Sequence, residues 1–241
     1  MTFDLRSGHP ELCRGVRITA LALALAVLVS GTAAAQEWDE YKSLRDGFGI
    51  NFPGQPKIAD TTWTSQMNYT LPMRVYSAEK GAERYSITVV DYTGIEQQGL
   101  ERAKNCPPGN ANCRANAPAA IGPGYSHHDE RGAIVYATFK LLQRDAKLDA
   151  MTWEWQDMVE GHLLQLVNTA DQSRTYAWIG MHAHKLYIVE GTVPAGYPEP
   201  GLFQQSLVWI DKDGKGIRYQ QIYSNSYHGM GVYPVPASTT P

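Results

Sequence analysis

The sequence predicts an α+β fold, with a mainly antiparallel β-sheet and two or three helices packed on it. Runs of β-branched and aromatic residues follow one another through most of the chain, and several are joined by short turn segments. Segments with helical character are few, and the sequence contains no internal repeat. Neighbouring strands with a small number of helices are typical of the α+β class.

The strand predictions rest on alternating apolar runs that end at turn residues. Residues 48–52 alternate and stop at Pro53-Gly54. Residues 73–77 and 85–92 flank a turn over 79–81, and this spacing predicts a hairpin. The remaining runs predict strands at 61–67, 133–142, 151–158, 162–167, 175–181, 186–193 and 216–223.

Two segments predict helices. Residues 94–105 consist largely of good helix formers. Residues 200–210 begin with Pro200, which suits the first turn of a helix, and their apolar side chains share one face at helical spacing. These two segments supply the helices that we expect to pack on the sheet.

The N-terminal segment predicts export. An apolar, uncharged stretch over 18–36 follows Arg14 and Arg17 and ends in small residues that suit a signal peptidase. Its apolar core of about a dozen residues is short for a membrane span, which needs about 20. We therefore expect cleavage after Ala35 and a periplasmic or secreted protein with no membrane span after cleavage, the alternative being a retained anchor.

The predicted organisation has three parts: a signal peptide over 1–35, one α+β domain over 36–223 with a loop insertion at about 95–131, and a flexible tail over 224–241. The insertion holds Cys106 and Cys113 around a Pro-Pro-Gly turn. Two cysteines this close in an oxidising compartment predict a local disulfide. Their spacing is not the Cys-x-x-Cys of a redox site.

The charge balance argues against nucleic acid as a partner. Three arginines and two acidic residues leave with 1–35, so that 18 basic and 22 acidic side chains remain. A mildly acidic chain offers no counterion-release drive toward phosphate backbones and no attraction to anionic lipid.

Short motifs resemble those of one known group. Phe48-Gly-Ile-Asn-Phe52-Pro53 resembles the F-x-x-x-F-P entry of PsbP-like proteins, and 185–190 with Phe203-Gln-Gln-Ser206 resembles that group's closing strand and helix. The similar element order spans most of 45–223, while the insertion at 95–131 departs from it. The group includes photosystem accessory proteins and bacterial periplasmic proteins of unknown role. The resemblance therefore implies a PsbP-like fold and carries over no catalytic residue.

Histidines form one candidate site. His182 and His184 are two apart, and on a strand they would face the same side and could share a metal ion. His127 and His128, followed by Asp129-Glu130, could complete the ligand set if they fold nearby. The alternative is a pair of solvent-facing histidines, because both lie where the hairpin between two predicted strands should reverse and turns commonly expose polar side chains. No zinc signature is present.

Tryptophans form the second candidate. Trp153 and Trp155 would share one strand face, with Tyr136 and Phe139 on a possible neighbouring strand. Such a cluster could line a groove for a hydrophobic ligand or a partner protein. The alternative is core packing beneath a helix.

No residue set predicts catalysis. The sequence has no G-x-S-x-G elbow, no S-x-x-K motif and no phosphate-binding glycine loop. The sequence favours an exported, non-enzymatic accessory or binding protein without a cofactor, whose partner is another envelope protein or a hydrophobic small ligand. The rival hypothesis is a metal-binding protein or metal-dependent enzyme that uses His182 and His184.

Overall fold

The computed structural model describes residues 38–105 and 125–224, which contain ten strands and four helices. The strands are β1 (Trp38–Ser43), β2 (Phe48–Pro53), β3 (Lys57–Thr64), β4 (Thr70–Lys80), β5 (Glu83–Asp91), β6 (Ala146–Gln156), β7 (Val159–Asn168), β8 (Arg174–His182), β9 (Lys185–Val193) and β10 (Val208–Trp209). The helices are α1 (Ile95–Lys104), α2 (Tyr125–Arg131), α3 (Ala133–Leu142) and α4 (Gly201–Gln204). The α+β class with a mainly antiparallel sheet is confirmed.

Seven strands form one antiparallel sheet in the order β3-β4-β5-β9-β8-β7-β6. Two meanders, β3-β4-β5 and β6-β7-β8-β9, meet where β5 pairs with β9 and Ile87 lies opposite Val189. Consecutive strands pair through short turns, as the alternating runs predict. In the described residues β3 and β6 are the edge strands of this sheet.

A second layer covers one face of the large sheet. It consists of a small sheet in the order β1-β2-β10 together with α4. Phe48, Ile50 and Phe52 of β2 are fully buried, and they contribute to the same core as Trp178 and Trp209. The alternation in 48–52 therefore reflects a strand that buries one set of side chains against the large sheet.

The other face of the large sheet carries the helices. Ala133, Ala137 and Leu141 of α3 recur at helical spacing and are buried in a second core, which includes Leu164 and Ile179 of the sheet. The centre of the sheet is thus covered on both faces, and this explains why β8 and β9 are buried along nearly their whole length, whereas the edge strands β3 and β6 are largely exposed.

Three element predictions are wrong. Residues 133–142 form α3 rather than a strand, because the apolar residues that suggested a strand include a buried helical stripe. Only Gly201–Gln204 of the predicted helix 200–210 is helical, and Val208–Trp209 pair with β2 instead. The predicted strand 216–223 contributes isolated bridge residues rather than a strand: Gly216, Tyr219 and Tyr223.

Several predictions concern residues outside the described ranges. These are the signal peptide over 1–35, the cysteine pair Cys106 and Cys113, and the tail beyond Ser224. At the ends of the predicted insertion the structure has α1 and α2. Within the described ranges, no helix combines the length and the hydropathy that a bilayer crossing requires.

Candidate functional site

The most prominent exposed feature is apolar and lies on β6 and α3. Seven large apolar side chains are more than a third exposed there, with Trp153 at 49% and Trp155 at 44%. We call these residues the β6–α3 surface: Val135, Phe139 and Leu142 of α3, with Leu148, Met151, Trp153 and Trp155 of β6. The core-packing alternative for the two tryptophans is therefore wrong.

The β6 residues share one face because of the pleat and one irregularity. Trp153 lies opposite His162 and Met151 lies opposite Leu164 on β7. The register then shifts between Leu148 and Ala150, and this shift keeps Leu148 on the same face as Met151. The indoles of Trp153 and Trp155 lie 5.1 Å apart between ring centroids.

Helix α3 lies on the same face of the sheet as this apolar row. The Oγ1 atom of Thr138 lies 2.9 Å from Nδ1 of His162, the residue opposite Trp153. The exposed stripe of α3 follows Thr138 around the helix and points away from the buried face. It consists of Val135, Phe139 and Leu142. The outward face of α3 and the helix-side face of β6 are thus neighbouring apolar surfaces.

Tyr136 is not part of this surface, contrary to the predicted grouping. Its ring packs edge-on against Trp63 of β3 with centroids 5.9 Å apart, and the Lys140 ammonium lies 5.2 Å from both rings. The error follows from the strand prediction for 133–142: these residues form α3, on which Tyr136 faces β3 and Phe139 is exposed. Of the predicted groove residues, Trp153, Trp155 and Phe139 belong to the β6–α3 surface, and Tyr136 does not.

The two histidines of the predicted metal site contact different groups. His182 ends β8, is 4% exposed, stacks on Trp209 with centroids 4.3 Å apart, and its Nε2 lies 2.6 Å from the Tyr219 hydroxyl. Burial, aided by the charge of Lys185, lowers the pKa of His182 to about 4. The imidazole is therefore neutral near pH 7 and enclosed by aromatic rings.

His184 lies in the turn rather than on the strand. Ala183 and His184 both have positive φ, 48° and 62°, as in a two-residue type I′ hairpin turn. His184 Nδ1 lies 2.6 Å from Oε1 of Glu130 on α2, and this hydrogen bond raises the pKa of His184 against the smaller effect of burial. Since the turn interrupts the pleat, the two-apart rule does not apply to this pair.

The other histidine candidates do not complete a metal site within the described part of the chain. His128 is exposed on α2, and the side chain of His127 lies outside the described residues. No group of three or more histidine, cysteine or acidic side chains in 38–105 and 125–224 has a metal-binding arrangement.

Two hydroxyl groups lie beside potential bases, His162 and Asp129. The Thr138 hydroxyl donates to the carbonyl oxygen of Ile134 at 2.9 Å, so it accepts the hydrogen bond from His162. The Ser65 hydroxyl donates to the buried carboxyl group of Asp129 and accepts from the Tyr69 amide. The Thr138 proton is therefore directed away from His162, and Ser65 with its partner Asp129 is buried, at 1% and 0% exposure.

A buried ionic cluster, which the sequence analysis missed, joins the two sheets. Asp46 is 4% exposed and accepts hydrogen bonds from Arg74, from Tyr76 at 2.6 Å and from Lys185 at 3.2 Å. Burial raises the pKa of Asp46, but these hydrogen bonds and cationic charges outweigh it and hold the pKa below its usual value. The cluster fixes the turn after β1 to β4 and β9.

Comparison with known proteins adds no family assignment. No model of a known protein family matches this chain. A search of curated proteins finds no significant match.

Proposed function

We propose that this protein is an exported, non-enzymatic accessory or binding protein with a PsbP-like fold, and that it docks a partner protein of the cell envelope on the β6–α3 surface. The observation that carries the proposal is the concentration of seven exposed, large apolar side chains on one strand and the helix beside it. Contiguous exposed apolar patches on soluble domains mark interaction sites. Burying apolar area at an interface is favourable by about 25 cal/mol per Å2, before the entropic costs of association are counted.

The composition of the surface supports a protein partner over a small hydrophobic ligand. Trp153 and Trp155 are of the residue type that most often carries binding energy at protein interfaces. β6 is also an edge strand in the described residues, so one side of its backbone is open to an added strand. Lys147, Asp149 and Glu154 on the same strand limit non-specific pairing of this edge.

The docking proposal is tested by site-specific photocrosslinking in intact cells. A photoreactive residue at Met151 is expected to give a defined cross-linked product, and the same residue at Ile58 is not. Ile58 is the matched control because it is 51% exposed on the opposite edge strand, β3. The cross-linked protein is then identified and purified for direct binding measurements.

With the purified partner, the W153A/W155A variant is expected to have a Kd about tenfold higher or more, whereas I58A leaves the Kd unchanged. Equal affinity of the wild-type and W153A/W155A proteins, both folded by circular dichroism, would remove this surface from the proposal. Cross-linking to a second copy of the chain, with a dimer in size-exclusion chromatography, would replace the envelope partner with self-association.

The proposed export has its own test. Fractionated cells are expected to contain a processed chain that begins at Gln36 in the periplasm or medium, with Cys106 and Cys113 protected from alkylation until they are reduced. An unprocessed chain with freely alkylated thiols in the cytosol would contradict export and the disulfide together.

A further inference from the structure

A polar groove of about 550 Å3 lies on the helix-side face of the large sheet. β4, β5, β8 and β9 form its floor, and the segment after α3 and the β7–β8 loop border it. On this face β9 carries the buried apolar residues Leu186 and Ile188 beneath the helices, and then Glu190 and Thr192 in the groove. The face therefore changes from apolar to polar where the helices no longer cover it.

Hydroxyl and amide groups line the groove in hydrogen-bonded rows. The hydroxyls of Thr175 and Thr192 lie 2.9 Å apart, and Asn168 Nδ2 donates to Thr175 Oγ1 at 3.1 Å. Ser77 and Ser86 lie opposite each other on β4 and β5 and are partly buried. Within the described ranges neither of these two serine hydroxyls has a side-chain hydrogen bond.

The charges in the groove disfavour an anionic ligand. Arg144 holds both carboxylate oxygens of Glu190, with one of the two hydrogen bonds at 3.1 Å. The lining contains one further arginine, Arg84, which forms no ion pair within the described part of the chain. Four carboxylates line the groove against these two cations: Glu79, Asp145, Asp171 and Glu190.

A ligand without polar groups is also disfavoured, although carbon and polar atoms contribute about equally to the exposed lining. All lining residues except Ala78, Tyr85 and Ala170 are polar or charged. An apolar molecule would displace water from these groups without replacing its hydrogen bonds, at a cost for each group left unpaired. The ligand that fits is one that carries many groups able both to donate and to accept hydrogen bonds.

We propose that this groove binds a neutral, polyhydroxylated ligand of the mono- or disaccharide class. Its volume falls within the range of about 300–1,000 Å3 for small-molecule sites. Ser77 and Ser86 would exchange hydrogen bonds with ligand hydroxyls at the floor, and Arg84 would donate to a ligand oxygen. The ion pair between Arg144 and Glu190 fixes a guanidinium group and a carboxylate group beside these hydrogen-bonding residues. This proposal is independent of partner docking on β6 and α3.

The test is a titration of the purified protein, monitored by two-dimensional NMR, with five probes: maltose, cellobiose, spermidine, galacturonate and its neutral counterpart galactose. A glycan array of neutral oligosaccharides extends the search beyond the two disaccharides. At least one neutral saccharide is expected to give saturable shifts in the amides of β4, β5, β8 and β9 that line the groove. The anionic galacturonate is expected to bind more weakly than its neutral counterpart.

The S77A/S86A variant is expected to raise the Kd of the tightest-binding saccharide by about fivefold or more, because two hydrogen-bonding groups are lost from the floor of the groove. T62A, which removes an exposed hydroxyl from β3, is the matched control and should bind like the wild type. Both variants should retain the wild-type Tm. Three outcomes would each overturn the proposal: no neutral saccharide binds, spermidine or galacturonate binds best, or S77A/S86A binds with unchanged affinity.

Discussion

Protonation of His182 is expected to destabilise the fold as the pH falls below neutrality. The imidazole is 4% exposed and lies against Trp209, Tyr219 and Tyr223, with the Lys185 charge nearby. Its pKa is lowered to about 4 in the folded protein, against about 6.5 in the unfolded chain. Between these two values the unfolded chain binds the proton and the folded protein does not, so the free energy of unfolding decreases as the pH is lowered.

The size of the effect follows from the two pKa values. Each unit of difference corresponds to about 1.4 kcal/mol, so the full contribution of His182 is about 3 kcal/mol. At pH 4.5 about 2.5 kcal/mol of it is lost relative to pH 7.5. The contribution is complete above about pH 7 and is absent below about pH 4.

Urea unfolding followed by tryptophan fluorescence, at pH 7.5 and at pH 4.5, measures this loss. His182→Gln keeps a polar side chain beside Tyr219 but cannot titrate, so its loss between the two pH values should be smaller than that of the wild type by about 2.5 kcal/mol. His128→Gln, which removes an exposed histidine, should behave like the wild type. Groups that titrate in all three proteins, including His184 with its raised pKa, cancel in this comparison.

Equal losses of stability in the wild type and His182→Gln would refute the reasoning. So would an NMR titration that places the pKa of His182 near its ordinary value of about 6.5. The first result would mean that burial of the neutral ring does not contribute to the pH dependence. The second would mean that the ring is hydrated in solution.

Three further predictions concern single substitutions. Gly161→Ala should lower the free energy of unfolding by about 2–3 kcal/mol in urea titrations, because the new Cβ would overlap a backbone carbonyl oxygen of β8; wild-type stability would contradict this close approach. Asp46→Asn should lower the free energy of unfolding by about 3 kcal/mol in the same assay, because Arg74 stays buried while its partner no longer carries a negative charge. A change below about 0.5 kcal/mol would show that the cluster is not stabilising. Glu130→Gln should lower the pKa of His184 toward about 6.5 in NMR titrations, and an unchanged pKa would show that the contact does not persist in solution.

Local pattern determined much of the sheet. Alternation over 48–52 and the runs over 175–181 and 186–193 lie within β2, β8 and β9. These strands bury side chains beneath a second layer, so their high content of apolar residues reflects their burial. The segment over 133–142 shows the limit of this reasoning. Its buried stripe and its exposed stripe are both apolar, and a short run that is apolar on several sides does not reveal its period.

The candidate site was only partly predictable for a related reason. The spacing of Trp153 and Trp155 is enough to place both indoles on one strand face. Whether that face is core or surface depends on how far α3 extends over β6, which is a tertiary property. His182 and His184 do not share a strand face because the chain reverses between them, as the turn alternative for this segment predicts. That alternative was wrong only in placing His182 in solvent, since its burial depends on Trp209 and Tyr219 from distant segments.

The sequence by itself determined the fold class, most of the strands and the shared face of the two tryptophans, because these depend on periodicities of a few residues. Only the tertiary structure decided that the tryptophans are exposed, that Asp46 lies among cations from two distant strands, and that a polar groove forms across β4, β5, β9 and β8. The physical reason is that strand order and layer packing bring together residues more than 100 positions apart. Burial, charge pairing and cavities are properties of those long-range neighbours.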